Sequence, residues 1–172
     1  DSRASRIEDL RVYFALNLFN RRRPYAQLAQ ELQKDATVFF SSYGAAQEAG
    51  RDLLFSVGDT QVIHQACVES ARGGIGFLDG THSLQVHSDL VEQLPPPVRA
   101  YVGCAEKLYG DIEQADLVKI HIGSGKVTFV EYDSFDKTPL PLLATRVKVN
   151  LRQQSVDYFH YQDDPDPPIL YL

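Results

Sequence analysis

Apolar and polar residues alternate along much of the second half of the chain. Between positions 145 and 152 the odd positions are mostly apolar and the even positions are polar: Thr145, Val147, Val149 and Leu151 against Arg146, Lys148, Asn150 and Arg152. A period of two sends one set of side chains into a core and the other into water. The pattern therefore predicts a half-buried strand with a polar outer face.

The same signal predicts strands over 117–122, 126–132, 142–151 and 155–161. Gly123, Ser124 and Gly125 separate the first two, and such a short glycine-bearing connection is typical of a hairpin. Residues 152–154 join the second two, while a polar, proline-broken loop over 133–141 separates the hairpins. We expect two antiparallel hairpins, followed by an acidic, proline-rich and extended segment over 162–168.

Residues 5–73 have the spacing of helices. Ser5 and Glu8 fit a capping box at the start of a helix that carries Leu10, Phe14 and Leu18 on one face. This helix should end near residue 20, before a run of three arginines and a proline at 21–24. The run also forms a small basic cluster in a connection between helices.

Further helices are predicted after Pro24, because a proline costs little in a first helical turn. The helix that begins there has Leu28 and Leu32 on its inward side, and others follow over 35–41, 43–56 and 60–72, until Gly73-Gly74 stops the last. Periodicity places the following residues on buried faces: Ala45, Ala49 and Leu53, then Ile63, Ala66 or Cys67, and Ser70 or Ala71.

The middle of the chain is mixed, with a short strand at 83–87 and a turn of helix at 89–94. Three prolines at 95–97 then precede a helix over 98–109, whose apolar side is Val98, Tyr101 or Val102, Ala105 and Leu108. Helices followed by a mainly antiparallel sheet with a packed helix make an α+β fold. We expect a helical subdomain over 1–73 and an α+β subdomain over 74–172, or one compact domain made of both.

Charge is unevenly distributed along the 172 residues. The net charge is −6, and residues 1–73 carry nine Lys/Arg against nine Asp/Glu, whereas 74–172 carry eight against fourteen. Non-specific nucleic-acid binding rests on clustered Lys and Arg, so the bulk charge predicts no general affinity for polyanions. A local strip of basic residues is still compatible with a net negative charge.

The cysteines and the apolar runs indicate a cytoplasmic protein. Cys67 and Cys104 fall on predicted helices among apolar neighbours, as buried free thiols of a reducing compartment do. No apolar run is long enough for a membrane span, so no membrane association is predicted. The chain has no Met, even at position 1, and we interpret it as a fragment of a longer protein.

Catalytic motifs are hard to find in the sequence. Five histidines (His64, His82, His87, His121 and His160) lack the spacing that concentrates metal ligands, and the acidic set Asp163, Asp164 and Asp166 lacks the glycine turn of a calcium loop. The glycines at 73–76 and 123–125 do not lead from a strand into a helix, as a phosphate loop or an S-adenosylmethionine site requires. No serine nucleophile motif stands out. We therefore expect neither a metal nor a catalytic residue in this fragment.

A basic strip is the clearest functional signal. Arg146, Lys148 and Arg152 share one strand face, Lys119 and His121 share the corresponding face of the other hairpin, and Lys126 lies at that hairpin's tip. Clustered cations can contact phosphates, and Tyr or Phe on adjacent strands can stack a base. An ordinary solvated sheet face is the alternative, because alternation alone produces one.

Several motifs resemble the DNA phosphorothioation-associated methyltransferase family. They are YVGCA at 101–105, DLVKIH at 116–121, KVTFVEYDSFD at 126–136, VDY at 156–158 and PPIL at 167–170. The family shows a YEGCA-like helix, NxIKLH-like and KVSYLxYPDFD-like strands and an ending like NPPILH. Residues 12–20 and 52–58 resemble another part of the same proteins. The chain departs from the pattern at 122–125, where the family's loop is more charged, and at Ser134, where proline is common.

The resemblance implies a parent protein that works beside systems that replace a backbone phosphate oxygen by sulfur, with an S-adenosylmethionine-dependent domain. This fragment lacks that domain's glycine-rich loop, so no cofactor is expected here. Our leading hypothesis is an accessory, non-catalytic domain whose partners are DNA, other domains of the parent or DNA-modification proteins. The alternatives are a substrate- or cofactor-binding subdomain of a DNA methyltransferase-like enzyme and a scaffold that binds only protein.

Overall fold

A computed structural model describes residues 2–19, 24–110 and 115–170, and in them helices precede an antiparallel sheet, which confirms the α+β prediction. The α-helices are α1 (Ser2–Asn17), α2 (Gln30–Phe40), α3 (Tyr43–Ser56), α4 (Thr60–Arg72) and α5 (Pro96–Tyr109). Short 3-10 turns occupy Tyr25–Gln27 and Ser88–Gln93. The expected arginine connection at 21–23 lies outside the described residues.

The sheet is an antiparallel meander in which each strand pairs with the next along the chain. Its strands are β1 (Phe77–Asp79), β2 (Ser83–His87), β3 (Leu117–His121), β4 (Lys126–Asp133), β5 (Leu142–Asn150) and β6 (Ser155–His160). The two predicted hairpins are β3–β4 and β5–β6. The sequence also predicted β2, but it gave no sign of β1, which is only three residues long.

One face of the sheet is apolar and is covered by helices. Val118, Ile120, Val127, Phe129 and Val147 are buried there, in one core with residues of α4 and α5. Tyr101 of α5 reaches the sheet backbone and donates a hydrogen bond from its hydroxyl to the carbonyl oxygen of His121, 3.0 Å away. The predicted packing of this helix on the strands is therefore correct, and α4 lies beside it on the same core.

Helix α1 connects the amino-terminal helices to this layer. Leu10 and Phe14 pack with Ala36 of α2 and Ala46 of α3. On another side of the helix, Val12 and Ala15 pack with Leu53 of α3 and Ala100 of α5. The helical half thus rests on α5, and α5 rests on the sheet.

A smaller apolar cluster lies on the opposite face, at one end of the sheet. Leu117, Val130, Leu143 and Leu170 are buried in it. A register shift in the β4–β5 pairing puts Tyr132 opposite Leu143 instead of Ala144, and the additional residue turns Leu143 to this face. The carboxy-terminal segment closes the cluster, with Ile169 bridging to Leu142.

Three helical predictions need correction. Helix α1 begins at Ser2, so Ser5 lies inside the helix and the capping box with Glu8 is wrong. A single helix, α2, replaces the two predicted around 24–41, because the residues after Pro24 form only a 3-10 turn. Helix α5 begins at Pro96, two residues early, since prolines at the first turn lose no intrahelical hydrogen bond.

Two predicted buried faces are also displaced. In α3 the buried residues are Ala46, Gly50 and Leu53, so Ala45 and Ala49 lie one position away from the true contact face. In α5 Leu108 is 40% exposed, because the covered face continues through Tyr109, whose ring stacks on Phe129 of β4. The predicted faces of α4, with Ile63, Ala66, Cys67 and Ser70 buried, are confirmed.

Candidate nucleic-acid interface

Five of the six predicted site residues lie together on the face of the sheet opposite to α5, which we call the polar face. Lys119 pairs with Thr128 and Thr128 pairs with Lys148, so these three residues form one row across β3, β4 and β5. His121 pairs with Lys126 in the next row, and Arg146 pairs with Val130 in the row on the other side. Directly paired residues share a face, so the strand register brings all five together.

Arg152 is the exception. Strand β5 ends at Asn150, whose side-chain oxygen accepts hydrogen bonds from the backbone N–H groups of Arg152 and Gln153, each at 3.1 Å. Arg152 therefore lies in the turn, where its guanidinium donates to the carbonyl oxygen of Gly123 at 2.9 Å. It lines a cavity of about 220 Å³ with Tyr101 and other residues of the helical side. The prediction that Arg152 shares the strand face with Arg146 and Lys148 is wrong.

His121 is neutral at physiological pH. Its Nε2 lies 2.9 Å from the hydroxyl oxygen of Thr128, which is itself buried. Burial lowers the pKa of His121 to about 4, and the positive charges of Lys119, Lys148 and Lys126 contribute to the same shift. His121 thus serves the polar face as a hydrogen-bonding group and adds no positive charge.

The four cations of the polar face are not neutralised by ion pairs. In the described part of the chain, no carboxylate lies within salt-bridge distance of Lys119, Lys126, Arg146 or Lys148. Asp157 is exposed and stands beside Lys148 in the register, yet it forms no such pair. The four side chains are therefore available to an anionic partner.

Aromatic rings lie among these cations. The guanidinium of Arg146 is 5.7 Å from the ring centroid of Tyr161, and the ammonium of Lys148 is 5.3 Å from that of Phe159. Phe159 is opposite Arg146, and Phe77 of β1 is opposite Gln85, which in turn pairs with Lys119. The position of Phe159 on the polar face could have been predicted from the sequence, because it is two residues from the polar Asp157 in the same strand. Phe77 could not, because β1 itself was not predicted.

Among the described residues, the other candidate groups do not form a recognisable site. No group of three or more His, Cys, Asp or Glu side chains among the described residues could hold a metal ion. Cys67 and Cys104 are buried free thiols, as predicted, and burial raises the pKa of each to about 12. Thiols of such high pKa are not nucleophiles at neutral pH.

A cleft of about 590 Å³ lies at the irregular end of β4 and β5, beneath the carboxy-terminal segment. Its lining includes the carboxylates of Glu131, Asp133 and Asp164. An acidic lining repels phosphates, and the cleft adjoins the polar face at Tyr161, the ring beside Arg146. The predicted acidic loop contributes to it through Asp164, which also accepts a hydrogen bond from the backbone N–H of Asp166.

Comparison with family models, curated proteins and solved structures gives no match for this chain. No helix in the described ranges has both the length and the apolar character needed to cross a membrane.

Proposed function

We propose that this chain is a non-catalytic domain that binds DNA through its polar face, within a protein associated with DNA phosphorothioate modification. The observation that carries the proposal is the convergence of Lys119, Lys126, Arg146 and Lys148 on the sheet face that no helix covers, where they form no ion pair with a carboxylate of the described residues. Unpaired, clustered cations are the elements of phosphate contact.

The net charge of −6 does not oppose this proposal, because the interaction is local. At physiological salt, charges more than about 8 Å apart are largely screened in solvent. Strand spacing places Lys119 and Lys148 roughly 10 Å apart across Thr128. A phosphate on this face therefore interacts mainly with the cations nearest to it and with the acidic residues of the same face, Asp79 and Asp157, and hardly at all with carboxylates on the helical side.

The motifs that resemble the phosphorothioation-associated family support the biological context. Their strands, β3 and β4, are the ones that carry Lys119, His121 and Lys126. In this proposal the domain holds DNA for a partner domain or protein that performs the chemistry. The other domains of the parent and the DNA-modification proteins are then its protein partners.

Charge reversal on the polar face tests the proposal. We expect the protein to bind a fluorescent DNA duplex at about 50 mM salt and to lose most of that binding at about 200 mM, as phosphate contacts do. Arg146→Glu with Lys148→Glu should weaken binding at least tenfold, measured by fluorescence anisotropy. Arg51→Glu with Lys107→Glu is the matched control, since both residues are exposed on helices and the net charge changes equally.

Absence of binding at low salt, or equal losses in the two double variants, would contradict the proposal. The competing hypothesis of a cofactor-binding subdomain is distinguished by calorimetry. Heat of binding from S-adenosylmethionine added to this chain would favour that hypothesis over a non-catalytic DNA-binding domain.

A further inference from the structure

We infer that the polar face prefers single-stranded DNA, with bases stacked on Phe77 and Phe159 and phosphates held by the surrounding cations. This inference rests on the proposed function and specifies the form of DNA. It comes from the width of the sheet and from the position of two exposed rings, which are independent of the charge argument.

The width of the sheet disfavours a duplex. Six strands span five interstrand spacings, or about 24 Å, whereas the major groove of DNA is about 12 Å wide. A helix or a two-stranded ribbon enters that groove, but this sheet cannot. A duplex could therefore offer the polar face only its phosphates, and its stacked bases would stay out of reach.

The exposed rings need a different partner. Phe77 is 71% exposed and Phe159 is 39% exposed, and both belong to the polar face by strand register. A phosphate backbone gives an apolar ring nothing to pack against. Unpaired bases do, because every base has a flat face that stacks on an aromatic ring, and sheet surfaces with such rings are a known mode of single-strand recognition.

The cations are placed to accompany the bases. Lys119 lies between the two rings, in the row that begins with Phe77, and Arg146 is directly opposite Phe159. The ammonium of Lys148 rests over the Phe159 ring at 5.3 Å. Because a lysine side chain is long and flexible, Lys148 can move off the Phe159 ring when a base stacks there and can bind the neighbouring phosphate instead.

The test compares one oligonucleotide of about ten nucleotides, within the site sizes that sheet-based folds use, as a single strand and as a duplex. We expect the single strand to bind at least tenfold more tightly by fluorescence anisotropy. Phe77→Ala with Phe159→Ala should lower single-strand affinity by about tenfold for each ring and change duplex affinity less than twofold. Phe77→Tyr with Phe159→Tyr should keep the wild-type preference.

Phe55→Ala is the control, because Phe55 is also exposed but lies on α3. Equal affinity for the two forms, or an alanine double variant that binds the single strand like wild type, would overturn the inference. The proposed function would survive that result as long as duplex binding still depended on Arg146 and Lys148. Binding of neither form would overturn both.

Discussion

His121 shows how a single residue reports on the polar face. It was predicted as one of the DNA-contacting groups because it is two residues from Lys119 in an alternating strand. The structure keeps it there but places it against buried Thr128, with three lysines close enough to lower its pKa. Burial is the main cause of the low pKa, and the three lysines add to it, so only the part of the shift that depends on the lysines reports on the positive field.

NMR titration of the His121 ring should give a midpoint near pH 4, against about 6.5 in the unfolded chain. Since the folded state binds this proton less well than the unfolded chain, the free energy of unfolding should fall as the pH drops from about 6.5 to 4. Above pH 6.5 the His121 ring is neutral in both states, so it should not affect stability there. Lys119→Gln with Lys148→Gln should raise the midpoint, while Lys107→Gln should not. A folded-state midpoint at or above 6 would contradict a buried position for His121 beside three lysines.

At the scale of elements, close helix packing depends on small residues of α3 and α5. A Cβ built on Gly50 would lie 2.7 Å from the backbone N of Ala15 and from the carbonyl carbon of Phe14 in α1. A Cβ on Gly103 would meet the side chain of Leu16 at 2.6 Å. Leu16 can rotate away, but the α1 backbone cannot, so Gly50 sets the distance between α1 and α3.

Gly50→Ala should therefore destabilise the protein although alanine favours helices. Overpacking costs about 1–3 kcal/mol, and the gain in helix propensity is at most about 1 kcal/mol. Gly44→Ala in the same helix is the matched control, because its nearest new neighbour is 3.9 Å away and the residue is exposed. Urea unfolding measures both free energies, and equal effects of the two substitutions would refute the packing argument.

The periodicity of apolar residues predicted most helices and strands. It failed where packing between two elements decides which residues are buried. Helices α3 and α4 and strands β3 to β6 follow directly from the alternation of their own residues. The buried face of α3 could not be predicted in this way. Gly50 has no side chain to mark it as apolar or polar, and it is buried only because α1 packs on it. Arg152 left the strand face for a local reason, because the Asn150 side chain accepts its backbone N–H and holds it in the turn that the sequence also predicted at 152–154.

At the scale of the whole molecule, the two faces of one sheet differ, because one is covered by helices and most of the other is polar. The apolar face holds α4 and α5, and α1 to α3 pack behind α5. The polar face keeps four cations and two exposed rings in water. An acidic protein can thus present a local basic surface that its net charge alone does not reveal.

Binding of a DNA duplex through phosphate contacts should depend steeply on salt concentration. Each neutralised phosphate contributes about −0.9 to the slope of log K against log salt concentration, so two to four contacts give a slope between about −1.8 and −3.6. Lys119→Gln with Lys148→Gln should make the slope less steep by about 2, and Arg51→Gln with Lys107→Gln should leave it unchanged. A slope near zero, or equal slopes in both double variants, would contradict phosphate binding on the polar face.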